Sequence, residues 1–518
     1  MAKHYDVVVL GAGIGALCTA ALLARRSWRV LVLGQGFRPA AYAFSGLPLA
    51  RRPFTFLAGS SPAWRRILVE LAQSQTFRRH VRNLEPMLQV MNARVRLSVS
   101  SDSSLFGREI DREFPEVRRV VDELYAELAR TNTAVDAAFD QDLVWPPGTF
   151  WERRETGRAA AGLPYLGDRK RDLLAEFPHE HPYRAIVLAS ARFASDLATP
   201  LPSFALARLH GAWTRGPSEI ARGEADLIEF LVDRIHAHGG EARLGGRASQ
   251  VVDRHGKATG VLIDGDDEPT GVQFLVTDRT SSSLLDLASE YRPSRRALDS
   301  RPRVEVEAQR FVTSMLVRTA GVPVSLAAEA FLLPERGSGR PAVHLQTTQA
   351  LDPASGMTLL VAETLIGSAH PFDQGDVRRV RAAVVAAVEA FLPYVERHYV
   401  LIDSPHDGLP LWDYRSGKRV MVDRTDVRAG GGALEAEAMV PLYRVDDPGR
   451  TVVGMGELVG EPIRFPLGAT FGVGKSILPP LGQEGELLAA WGAARVITRT
   501  NRQKEKMRRE MWSKVELG

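Results

Sequence analysis

The sequence predicts an α/β protein, with a discontinuous Rossmann-like dinucleotide-binding domain joined to a second domain of mixed sheet and helices. Three observations predict it. Residues 5–37, "YDVVVLGAGIGALCTAALLARRSWRVLVLGQGF", read as strand, glycine turn, helix and strand. A helix–Gly-Gly–strand unit follows in mid-chain, and a strand, a glycine turn and a small-residue helix recur near the end. The length of 518 residues exceeds one ordinary core, so more than one domain is expected.

The elements follow in chain order. Residues 7–10 are an apolar run fit for a buried strand, 17–24 an Ala- and Leu-rich helix, and 29–33 a second strand. In the turn between them Gly11 permits the tight bend, Gly13 lets a pyrophosphate approach the backbone, and the small Ala16 allows close helix–strand contact. The helix start offers free N–H groups and the positive end of a dipole to phosphate. The acidic residue that usually follows the second strand is missing: Gly34 and Gln35 stand there. Residues 112–130 carry Val117, Val120, Val121, Leu124 and Leu128 on one helical face. In 225–265, Leu227, Phe230, Leu231 and Ile235 recur at helical spacing and Gly239-Gly240 ends the helix. Strands are expected at 242–244, 249–252 and 260–263, with a turn at His255-Gly256, and again at 272–278. Residues 377–395 read as a further helix. Residues 450–460 read as a strand running into Gly454-x-Gly456-Glu457, and 480–497 as a Pro-and-Gly turn entering a helix.

Composition narrows the function classes. A net charge of +4 on this length gives no case for nucleic acid. The single cysteine, Cys18, excludes internal disulfides, which suits a reducing cytoplasm. The first strand begins at once, leaving no room for a signal peptide, and no apolar run of membrane-spanning length appears.

Taken together these pieces resemble the phytoene desaturase and carotenoid isomerase family of FAD-dependent oxidoreductases. The likeness rests on the turn Gly11–Ala16, the unit 225–263, the strand ending at Glu457, and the Pro-x-x-Gly-x-x-Gly start at 479–485. It implies a noncovalent FAD held by Gly11, Gly13, Gly15, Ala16 and Gln35. Val251 would meet the adenine through its backbone, Gly456 and Glu457 the ribitol, and Gly482 and Gly485 the isoalloxazine. It implies an FAD-binding domain over 1–75, 205–295 and 445–498, and a substrate domain over 76–204 and 296–444. A basic helical tail at 499–518 completes the chain. The implied substrate is an apolar isoprenoid or polyene, undergoing desaturation, saturation or isomerisation; no catalytic acid or base is assigned. The protein would be cytoplasmic, with peripheral membrane contact left open by the basic tail; its oligomeric state is not legible. Three segments depart from the family: Gly34, "RPAAYAFSG" at 38–46, and "GPSEIARGEAD", with Glu224 at a glycine position. They keep two alternatives open: a flavin-free member of the fold that binds lipid or protein, and an amine oxidase-type flavoenzyme.

Other patterns read more simply. "ATFGVGKS" at 469–476 resembles a P-loop, but Pro466 precedes it and Pro479-Pro480 follow, so a loop facing substrate or flavin is expected. His179 and His181 lack a third ligand, so no metal site is expected.

Overall fold

A computed structural model describes residues 4–515 apart from 168–170, 199, 289–290, 336, 350–354, 368–373, 424–435, 447–454 and 456–457. The strand His4–Leu10 lies inside a seven-stranded sheet. Val7 to Leu10 are wholly buried, as a parallel strand covered on both faces requires. Val30–Leu33 runs parallel on one side and Thr270–Thr277 on the other, with Glu241–Arg243 continuing the sheet beyond Val30–Leu33. The hairpin of Ala248–Arg254 and Lys257–Ile263, turned at His255 and Gly256 with positive φ at both, forms the far edge. Thr470–Gly472 adds a strand parallel to the end of Thr270–Thr277.

Helix Ile14–Arg25 packs on this sheet and against helices Glu224–Ala237 and Gln483–Val515; every residue from Ile14 to Ala24 is buried. Such close approach needs small residues. A Cβ on Gly15 would fall 2.1 Å from the Val473 carbonyl oxygen. The last helix runs from Gln483 to Val515 without a break, so the basic segment at its end continues the packed helix instead of forming a separate one.

A second, ten-stranded sheet has the long strand Arg303–Arg318 near its middle, flanked by Met357–Gly367 and Tyr399–Asp403 in antiparallel register. Val343–Gln349, Glu329–Leu333 and Leu88–Asn92 follow outward, the last pair parallel. Strand alternation gives the sheet two unlike faces. Phe311, Met315, Ala330, Leu332, Leu345, Leu360 and Ala362 pack with Val384 and Val388 of helix Gln374–Phe391 into a separate apolar cluster. Glu329, Phe331, His344, Gln346, Glu363 and Arg310 occupy the alternate positions and turn toward the first domain.

Helices Arg118–Phe139, Pro182–Ala194 and Ser203–Trp213 form a helical layer beside both sheets. A buried arginine ties it together. Arg208, 2% exposed, gives Glu484 two bonds of 2.6 Å, pairs with Asp136 at 2.6 Å, and donates to Asn132 Oδ1 at 2.9 Å. Among the described residues no helix is long and apolar enough to cross a membrane.

Candidate functional site

The glycine turn takes the expected shape. Gly11 sits at φ +120° and donates to the Leu33 carbonyl at 2.8 Å, and Gly13 precedes the first helical residue. What fills the turn was not expected. The Gly13 N–H, aimed where a pyrophosphate oxygen would lie, donates to Oδ2 of Asp278 at 2.8 Å. That carboxylate packs on the turn itself: a Cβ at Gly11 would fall 1.9 Å from Asp278 Oδ1. Strand register explains the placement, because Leu10 pairs with Thr277 and the next residue on each strand is Gly11 or Asp278. The Gly15 N–H faces a second carboxylate, Glu486 Oε2, at 3.5 Å.

These two acids are electrostatically unusual. Burial raises the Asp278 carboxyl, opposed by the Gly13 N–H and by the charges of Arg279 and Lys475. Burial pushes Glu486 up to about 8; Lys475 opposes the rise, while Asp196 and Asp278 add to it. Lys475 itself pairs with Asp196 at 3.2 Å.

The ribose end of the turn is closed as well. A Cβ at position 34 would fall 2.0 Å from the Leu244 carbonyl oxygen, and the Gly34 N–H donates to the Arg243 carbonyl at 3.1 Å. A side chain at 34 therefore has no path to a ribose, contrary to what an ordinary strand end would allow; a close backbone neighbour requires the glycine. Gln35, at φ +51° and buried, spends its amide on the next strand. It accepts from the Ala248 N–H at 2.7 Å and donates to the Ala248 carbonyl at 3.3 Å. Its own carbonyl accepts from Arg279 Nη2 at 2.7 Å.

The remaining expected contacts have these positions. Ala16 is wholly buried, and Val251 is buried in mid-strand opposite Val261. Gly482, at φ +52°, packs so closely on Ala194 that a Cβ would lie 2.1 Å from its carbonyl oxygen; at Gly485 the neighbour is the Leu478 carbonyl, at 2.4 Å. Gly456 and Glu457 lie outside the described residues. In the P-loop-like stretch, a Cβ at Gly474 would meet the Asp278 carbonyl oxygen at 1.8 Å, so the segment serves as a floor beneath Asp278. His181 caps helix Pro182–Ala194 by accepting from the Tyr183 N–H, and among the described residues no cluster could hold a metal ion.

FAD is the cofactor that the family resemblance implies, and the described residues of the glycine turn and of the second strand's end do not fit it. Its pyrophosphate would have to displace a carboxylate and sit beside Glu486. No free acid faces a ribose at 34 or 35, and the cradle N–H groups are already bonded.

Beside the turn, between the two sheets, lies a cavity of about 290 Å³. Its roof is the polar face of the second sheet. Arg310 donates to Glu363 at 2.6 Å and to the Phe193 carbonyl at 3.0 Å. His344 Nε2 lies 2.6 Å from Glu329 Oε2, and Gln346 donates to the other oxygen of that carboxylate at 2.8 Å. At the wall Arg52 pairs with Glu224 at 2.5 Å. Among the described residues Glu486 has no cation within ion-pair distance, and its Oε1 has no hydrogen-bond partner, although the side chain lines the cavity and is 5% exposed. A larger groove of about 1060 Å³ lies at the other end of the parallel strands, beside Asp6, Trp28 and Gln273, away from the glycine turn.

Comparison with known proteins agrees with this fold. Residues 9–71 match the NAD(P)-binding Rossmann-like domain family. An oxidoreductase from Methanosarcina mazei superposes with a TM-score of 0.56 at 16% identity, covering 95% of this chain and 99% of its own. A putrescine oxidase triple mutant with redesigned cofactor binding gives 0.58 at 13% identity, covering 96% and 99%. Cyclohexylamine oxidase from Brevibacterium oxydans gives 0.54 at 14%, covering 96% and 100%. No curated protein matches the chain in sequence. The chain thus contains a Rossmann-like domain and has the mixed α/β fold of these oxidoreductases.

Proposed function

We propose that the chain uses this oxidoreductase fold to bind a small organic cation in the interdomain cavity, without a bound flavin. Glu486 carries the reading. Its neighbours Asp196, Glu224 and Glu363 each have an Arg or Lys partner, whereas Glu486, which also lines the cavity, has no ion-pair partner among the described residues. An ammonium group would complete that carboxylate, and the rings of Phe54, Phe193 and Trp213 line the same space, where aromatic surfaces attract organic cations. Putrescine oxidase and cyclohexylamine oxidase, named for amines, share the fold; that support is by analogy. The apolar polyene suggested by the family resemblance has less support. A long hydrocarbon would leave Arg310, His344 and Glu363 facing apolar surface, and the cavity is at the small end of the roughly 300–1,000 Å³ usual for ligand sites.

A second reading, oxidation of the same cation by bound FAD, is favoured by the Rossmann match at 9–71 and the nearly full-length superpositions. One preparation decides between them. The purified protein is expected to show no flavin absorption, and at about pH 9, where Glu486 is ionised, cyclohexylammonium is expected to bind wild type at least about tenfold more tightly than Glu486→Gln by calorimetry. Stoichiometric FAD released by heat would establish the second reading. Equal affinity in the two proteins, or none in either, would remove the first.

A further inference from the structure

We propose that Asp278 is a built-in anion that occupies the phosphate site of the glycine turn, and that removing its carboxylate turns this turn into a site for inorganic pyrophosphate. The inference starts from the misfit to FAD and concerns a different ligand site from the cavity. Its readout is pyrophosphate binding, so it can fail while cation binding at Glu486 stands.

Three observations carry it. The first is position. Asp278 Oδ2 accepts from the Gly13 N–H at 2.8 Å, and the carboxylate lies against Gly11, where glycine leaves room for an approaching phosphate. The second is charge. Arg279 and Lys475 are the cations acting on Asp278, so its loss removes a negative charge from beside both at the start of helix Ile14–Arg25, although Lys475 keeps Asp196 at 3.2 Å. The third is independence of the element that supplies the anion. The match to the NAD(P)-binding Rossmann-like domain family spans residues 9–71, which include the turn, while Asp278 lies outside that span, 265 residues away from Gly13. The turn keeps its phosphate-binding form, and a distant side chain fills it.

Pyrophosphate is the appropriate probe because the ribose end is closed independently, by Leu244 against Gly34 and by the Gln35 amide on Ala248. A whole dinucleotide meets that second barrier, whereas the inorganic anion does not.

The test is calorimetric titration of the full-length protein with inorganic pyrophosphate at low salt, for wild type, Asp278→Ala and Asp278→Asn, each with a melting curve. Asp278→Ala removes charge and bulk; Asp278→Asn keeps the shape and removes only the charge. The expected result is at least about tenfold tighter binding in Asp278→Ala than in wild type, because the freed Gly13 N–H can donate to the anion and the carboxylate no longer repels it. A smaller improvement is expected in Asp278→Asn. Wild type binding as tightly as the alanine variant would overturn the proposal, because the carboxylate would then not be the occupant. So would the absence of binding in every folded variant. If the alanine protein does not fold, the asparagine protein decides alone: affinity no tighter than wild type overturns the proposal.

Discussion

Gly34 shows how little space a single residue can leave for revision. The Leu244 carbonyl lies where its Cβ would be, 2.0 Å away, and that neighbour is backbone, which cannot rotate aside. Gly34→Glu is therefore expected to destabilise the protein by about 1–3 kcal/mol or more, with no increase in FAD affinity. A melting curve beside an FAD titration checks both parts; a stable variant that binds FAD would show that the second strand ends differently. The same residue marks the limit of what sequence reveals. Gly11 and Gly13 were legible because each shapes its own turn. Asp278 was not, although it closes the segment 272–278 that reads plainly as a buried strand. Its meaning depends on register, which sets it beside Gly11 only once the strand pairs with His4–Leu10. Glu486, 471 residues from Gly15, is hidden for the same reason.

At the scale of elements, three helices meet on one buried guanidinium. Arg208 on helix Ser203–Trp213 holds Glu484 at the start of the last helix, and Asn132 and Asp136 on helix Arg118–Phe139. Burial alone would raise the Glu484 carboxyl, and Arg208 overcomes it and lowers it. Arg208→Met is expected to cost about 3–5 kcal/mol, since it strands the Glu484 carboxylate in the interior, while Asp136 keeps Arg215 at 2.8 Å. Adding Glu484→Met should recover part of that loss, which denaturant unfolding of the single and double variants would measure; strict additivity would mean that the pair does not act as a unit. Helix Arg118–Phe139 was readable, because Val121, Leu124 and Leu128 repeat at helical spacing and are buried, whereas helix Ser203–Trp213, which carries Arg208, was not. The charged roof of the cavity was not. His344 and Gln346 alternate with Val343 and Leu345, the pattern of a strand with one face in water. Only the presence of a second domain over that face makes it interior.

Across the whole molecule, the acids at the glycine turn couple stability to pH. Glu486 is raised from its ordinary value to about 8 in the folded protein, so the folded state holds a proton that the unfolded state releases near 4.5. The stabilisation from this group is complete below pH 4.5 and is lost as pH rises to about 8, at up to about 1.4 kcal/mol per pH unit. Glu152 does not obscure the trend. Burial pushes it up, but Arg464 pulls it down to about 2, so its contribution is constant throughout that window. Buried His210, lowered by burial to about 4, adds stability as pH rises to 6.5, so denaturant midpoints measured from about pH 6.5 to 8 should fall in wild type and fall less in Glu486→Gln. Parallel slopes would place the proton elsewhere. Cation binding in the cavity should strengthen over the same range, as Glu486 gives up its proton.

The clasp between Gln35 and Ala248 has an evolutionary consequence. Its two hydrogen bonds join the loop after the second strand to the edge hairpin, and Leu244 closes over the neighbouring glycine. An acid at 34 meets backbone, and an acid at 35 forfeits the amide donor that reaches Ala248. Each single step toward a ribose contact first loosens the sheet edge and offers no ligand in return while Asp278 stays in place. For a lineage carrying this arrangement the geometry acts as a ratchet: the way back requires several substitutions at once.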